Sequence, residues 1–94
     1  MEEVILTVRN KVGLHARPAA LFVRTANKFK ANIKVENLSR GSSPVNAKSI
    51  LSLLTAAVEC NHRIRVSAEG EDEVEAVMAL KELVDSNFGE KDKR

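Results

Sequence analysis

The segment Gly13-Leu14-His15-Ala16-Arg17-Pro18-Ala19 brings a nucleophile, a cation and helix-starting chemistry together. A neutral imidazole attacks through nitrogen without a separate base, so His15 could accept a phosphoryl group as a labile phosphoramidate. Gly13 permits a sharp turn, His15 stands at an N-cap position, and Pro18 is tolerated because first-turn amides have no partner inside a helix. The backbone amides of Ala16 and Arg17 would then be open to an anion at the positive end of the helix dipole. The Arg17 guanidinium adds a permanently charged, two-pronged phosphate ligand. No carboxylate lies in the segment to hold a metal or activate water, which favours a carrier over a hydrolase. Cys60 and His62 stand close together with no further ligand residue in sequence reach, so no metal site is expected and no cofactor is implied.

The elements around this segment follow from periodicity. Val4, Leu6 and Val8 alternate with Ile5, Thr7 and Arg9, a half-buried strand. Ala19, Phe22, Val23 and Ala26 recur at helical spacing and predict an amphipathic helix from Ala16 to Lys28. Ile33 and Val35 alternate with Lys34 and Glu36, and the turn-rich Ser39-Arg40-Gly41-Ser42-Ser43-Pro44 leads into a short strand near Val45. A second helix is expected from Ala47 to Val58, with Asn46 as N-cap, Ser49 at the third helical position and Asn61 as a left-handed exit. Ile64, Val66 and Ala68 mark a further strand. Beyond Gly70, acidic Glu71, Asp72 and Glu73 suit the start of a long helix through Asn87 with Val77, Leu80 and Val84 on its core stripe.

The order is βαββαβα, an α+β open-faced sandwich: a four-stranded antiparallel sheet with three helices on one face. The first helix can act as a crossover that leaves a slot between strands one and two for the last strand. Residues 1–88 are expected to form one domain and residues 89–94 a frayed tail. With 94 residues, 44% of them apolar, one core is about what the chain can build. A single cysteine cannot staple the fold, and no apolar run suits a signal peptide or membrane insertion, so a cytoplasmic monomer is the expectation.

A net charge of +2, from 15 basic and 13 acidic residues, is too balanced for a nucleic-acid-binding footprint, and the only aromatics are Phe22, Phe29 and Phe88. The distribution is uneven. Arg9, Lys11, Arg17, Arg24, Lys28, Lys30 and Lys34 occur in a stretch without Asp or Glu, which favours acidic partners or phosphate. The second helix carries two apolar stripes, Ile50, Leu53 and Ala57 against Ala47, Leu51 and Leu54, and only one can face a one-sided core. The second stripe is expected to be a docking patch rimmed by Arg17, Arg24, Lys28 and Lys48.

The string from Gly13 to Ala19 resembles the active-site motif of the histidine-containing phosphocarriers of the phosphoenolpyruvate-dependent phosphotransferase system, and the resemblance runs on to Ser86-Asn87-Phe88-Gly89. It implies His15 as phosphoacceptor, Arg17 as phosphate ligand, enzyme I as donor and the A domain of a sugar permease as recipient, in a stoichiometric carrier and not an enzyme. Asn46-Ala47-Lys48-Ser49-Ile50 resembles the family's regulatory site and implies Ser49 as the target of a serine kinase. Three departures stand out: a long turn from Asn37 to Pro44, Ser52 in place of a common glycine, and Cys60-Asn61 in place of Lys-Gly. Asn10-Lys11-Val12-Gly13 and the Ser-Asn-Phe-Gly-Glu end also resemble the nitrogen-regulatory branch, which leaves sugar and regulatory carriers both open. A reading of a different class is a regulatory interaction module that uses the same fold and patch, with Ser49 or His15 acting only as a switch.

Overall fold

Alternation of apolar and polar side chains gives the sheet a dry face and a wet face. In the computed structural model, which describes residues 1–89, the strands are β1 (Glu2–Thr7), β2 (Asn32–Asn37), β3 (Val45–Asn46) and β4 (Arg63–Glu69). All pairings are antiparallel, in the order β1-β4-β2-β3. The register lines up Val4, Val66, Val35 and Val45 in a row across all four strands. A slip of one residue would turn that row to solvent. β1 and β2 both run antiparallel to β4 and hence parallel to each other, so the connection between them is a crossover with β4 in its slot, as expected. On the wet face Arg65 donates to Glu36 across the β2–β4 pairing at 2.8 Å.

The dry face is covered by α1 (Ala16–Ala26), α2 (Ile50–Thr55) and α3 (Glu73–Asp85). Phe22, Leu53, Leu80 and Val84 from these helices meet Leu6, Ile33, Val35, Ile64 and Val66 in one buried cluster. α1 stops at Ala26, short of Lys28, because Lys28 and Phe29 donate to Thr25 and Ala26, three residues back, in a tightened last turn. α3 stops at Asp85, and a 3-10 turn over Asn87–Gly89 follows, with Asn87 and Phe88 both at positive φ and Phe88 buried. The expected frayed tail lies outside the described residues apart from Gly89. Among the described residues no helix is long and apolar enough to cross a membrane.

The largest correction concerns α2, which starts at Ile50 and not at Ala47. Asn46 pairs with Lys34 as the last residue of β3, and its Oδ1 accepts the Lys48 amide at 2.9 Å in a side-chain turn. The Ala47 amide donates to the Ile33 carbonyl, which carries the strand-like path one residue further. Ser49, expected inside the helix, is its N-cap and accepts the Ser52 amide at 3.3 Å. The helix ends at Thr55, and Ala57, at φ +52, turns the chain out. Asn61 does adopt a left-handed conformation, at φ +73, in the turn that leads to β4.

Asp72 does more at the start of α3 than complement the helix dipole. Asp72 stands at the N-cap of α3, but its carboxylate accepts the Lys30 amide at 2.8 Å and the Ala31 amide at 2.9 Å, tying the end of the α1–β2 connection to the β4–α3 turn. The turn fits because Gly70 has no Cβ; one placed there would lie 2.7 Å from the Ala31 Cα. The Lys30 amide, ahead of the Ala31 amide, holds the Asp72 carboxyl below the usual carboxylate range, against the opposing effect of partial burial. A depressed acid stabilises the fold above its unfolded value and loses that contribution as pH falls through the folded value. Asp72→Ala is therefore expected to be less stable than the parent protein at neutral pH, with the gap closing below about pH 4 in thermal unfolding. A gap independent of pH would show that the carboxylate does not hold the turn.

Candidate functional site

The loop between β1 and α1 is held by backbone from a distant segment. The Leu14 amide donates to the Val58 carbonyl at 2.9 Å, and Leu14 itself is fully buried. Gly13, at φ +68, lies against the same segment; a Cβ there would overlap the Val58 carbonyl oxygen and come within 2.6 Å of the Glu59 Cα. Asn10 closes the loop from inside, with its Nδ2 donating to the Gly13 carbonyl at 2.9 Å. Its Oδ1 is buried with no partner among the described residues.

His15 follows as the N-cap of α1, extended at φ −132 and ψ 160 and half-buried, and its side chain makes no capping bond. Its ring is thus left for other chemistry. The His15 carbonyl takes the Ala19 amide as the first helical bond, at 3.5 Å. Ala16 already stands at φ +52, a conformation few non-glycine residues adopt, between buried Leu14 and buried Pro18. The Ala16 and Arg17 amides have no hydrogen-bond partner among the described residues. Arg17 is exposed and forms no ion pair among them. An imidazole, open amides at a helix start and a guanidinium therefore occupy three consecutive residues, an arrangement that can hold a phosphoryl group and spread its charge.

The stripe expected to dock partners is exposed only in part. Leu51 is 75% exposed and Leu54 36%, while Leu53 between them is fully buried. Arg24 on α1 and Lys28 just beyond its end are exposed, and α2 packs beside α1. Ala47, expected on the same stripe, is fully buried because it still follows β3. Ile50, expected in the core, is 41% exposed, since so short a helix seats little beyond Leu53 and Ala56. Lys48 is not a free rim charge: its Nζ donates to the Phe29 carbonyl at 2.7 Å, and Asn27 Nδ2 donates to the Lys48 carbonyl at 3.2 Å. These bonds tie the entry of α2 to the exit of α1.

From sequence, His62 reads as incidental and Asn37 only as the start of a long turn. Asn37 is fully buried; its Nδ2 donates to the Ala56 carbonyl at 3.0 Å and approaches His62 Nδ1 at 3.1 Å, and its Oδ1 accepts the Ser39 and Arg40 amides. The only available signals were the long turn beginning at Asn37 and the unusual residues ahead of His62. Cys60 is exposed, with its thiol 3.5 Å from the Arg9 carbonyl.

A family model described as "PTS HPr component phosphorylation site" matches residues 3–86. The chain is 46% identical over 90 residues to the phosphocarrier protein HPr of Xylella fastidiosa, covering 96% of this chain and 98% of that one. It is 41% identical over 83 residues to the multiphosphoryl transfer protein of Vibrio cholerae, of which it spans only 21%. Among solved structures, HPr-C-His of Thermoanaerobacter tengcongensis shares 49% identity with a TM-score of 0.91, covering 97% of this chain and 99% of that one. An HPr dimer from the same organism, 50% identical, has a TM-score of 0.74 and covers 96% of this chain and all of that one.

The loop geometry separates two glycines with the same backbone angle. Gly13 and Gly41 both stand at φ +68, but a Cβ on Gly41 would meet nothing within 4 Å. Gly41→Ala is expected to cost about 1 kcal/mol for its left-handed angle, and Gly13→Ala roughly 3 kcal/mol because overlap adds to the same strain. Chemical denaturation checks both; equal losses would mean that the Val58 contact yields without cost.

Proposed function

The chain belongs to the HPr family of phosphocarriers of the phosphotransferase system, and on that premise we propose that it takes a phosphoryl group from enzyme I on His15 and passes it to the A domain of a sugar permease. The observation that carries this reading is a half-buried imidazole directly ahead of a helix start whose first two amides have no partner among the described residues. In the forward step the phosphorus–nitrogen bond on the donor histidine breaks as a new one forms to the His15 ring; on donation the same exchange runs to the recipient. The protein is consumed and regenerated as a stoichiometric carrier. Arg17 and the Ala16 and Arg17 amides neutralise the bound dianion, and no metal is needed for that role. A nitrogen-regulatory recipient would use the same chemistry with a different docking partner.

Docking falls to Leu51 and Leu54, with Arg17, Arg24 and Lys28 steering acidic surfaces. We further propose that it acts as a monomer in the cytoplasm. Ser49 is the proposed regulatory residue, modified by a serine kinase. As N-cap of α2 it sits in the helix that carries the docking leucines, so a phosphate there would add negative charge to a surface built for acidic partners.

Phosphoenolpyruvate plus enzyme I is expected to label one histidine, with the label lost in acid and stable in base. His15→Ala should abolish it, whereas His62→Ala should still reach full labelling at the end point. A label that persists without His15 would overturn the assignment. In a binding assay Leu51→Glu is expected to weaken partner docking by more than about 1 kcal/mol while leaving thermal stability nearly unchanged; a large drop in melting temperature would instead place Leu51 in the core.

A further inference from the structure

Two segments far apart in the sequence, the turn opening at Asn37 and the residues before β4, meet in space. Asn37 is the last residue of β2, and His62 is the residue just ahead of β4. His62 Nδ1 receives the Glu59 amide at 3.1 Å and lies 3.1 Å from Asn37 Nδ2. A backbone amide can only donate, so Nδ1 is the acceptor of both and the ring proton resides on Nε2. Asn37 Nδ2 also reaches the Ala56 carbonyl at 3.0 Å and the Ala57 carbonyl at 3.4 Å. One buried side chain and one ring nitrogen thus gather the whole run from Ala56 to His62.

The opposite side of that run carries the loop ahead of His15. Val58 offers its carbonyl to the Leu14 amide, Gly13 rests on Val58 and Glu59, and the Asn61 amide donates to the Val8 carbonyl at 2.6 Å. The Val8 amide in turn donates to the His62 carbonyl at 2.9 Å. The run is a wedge between the end of β2 and the His15 loop. Without the ring acceptor, the buried Asn37 amide group and the Glu59 amide lose a partner, and the wedge must resettle to find others.

We propose that His62, held by Asn37, is a positioning residue for His15: it fixes the Ala56–His62 wedge, which sets Gly13 and Leu14 and so aims the imidazole relative to the open Ala16 and Arg17 amides. This rests on the carrier reading of His15. His62 touches no phosphoryl group and acts only through the loop. Transfer between two histidines is sensitive to such aim, because misplacing a reacting group by about 1 Å costs up to about a hundredfold in rate.

The test compares His62→Leu, which has no acceptor, with His62→Asn, whose Oδ1 can stand where Nδ1 stood. Both are assayed on the full chain, at a temperature where circular dichroism shows every variant folded, by single-turnover acceptance from phosphorylated enzyme I. His62→Leu is expected to slow acceptance about tenfold while the label still ends on His15, and His62→Asn to recover most of the rate. Backbone amide resonances of Leu14 and Ala16 should move in His62→Leu and return in His62→Asn. Full-rate acceptance by His62→Leu, even with a lowered melting temperature, overturns the proposal and leaves His62 a structural residue. Equal slowing by both variants overturns it as well, since the acceptor would then not matter. Failure of the carrier reading would show separately, as a parent protein that takes no label on His15. The amide resonances need no phosphoryl donor, and if they stay in place the positioning role is overturned whatever the labelling shows.

Discussion

The bond from the Leu14 amide to the Val58 carbonyl, 2.9 Å long, is the contact on which the site depends. It joins the start of α1 to the exit of α2 across more than forty residues of chain. It can form only because Gly13, lacking a side chain, lets the two backbones meet. With Leu14 pulled inward and buried, His15 stands extended at the edge of the helix, and the Ala16 and Arg17 amides have no partner among the described residues. The His15 ring, the Ala16 and Arg17 amides and the Arg17 guanidinium therefore sit on a loop whose path is dictated by packing on both sides.

That path carries strain. A non-glycine residue in the left-handed region costs of order 1–3 kcal/mol, and Ala16 is held there between buried Leu14 and Pro18. The Asn10 Oδ1, buried with no partner among the described residues, adds a cost of about 1–3 kcal/mol in the same loop. Both are large beside a typical net stability of about 5–15 kcal/mol. The valine row across the sheet and the cluster around Phe22, Leu53 and Leu80 supply the burial that tolerates them. The unfavourable terms gather at the site, while the regular elements follow their local preferences.

Much of this was legible in the sequence because its causes are local. Strand alternation and the Phe22 stripe identified the elements, the crossover argument placed β4 in its slot, and the chemistry of Gly13 to Arg17 lies within five residues. The errors fall where one residue type serves two local motifs or where the partner is remote. An asparagine that accepts an amide two residues on can begin a helix or end a strand in a turn, and Asn46 does the second, which shortened α2 and buried Ala47. Asp72 suits a helix start, yet its amide partners are Lys30 and Ala31. Nothing in the type or spacing of Asn37 and His62 indicates that they meet; only the sheet brings them together. Lys48 reads as a surface charge until the Phe29 carbonyl is placed beside it.

A phosphoryl group on His15 is expected to be received by the open start of α1. Nuclear magnetic resonance of the nitrogen-labelled protein, charged with phosphoenolpyruvate and enzyme I, tests it most directly. Phosphorus coupled to a ring nitrogen of His15, together with downfield movement of the Ala16 and Arg17 amide protons, is the expected result. Phosphorus on any other side chain, or a phosphorylated His15 whose neighbouring amides do not move, would contradict it.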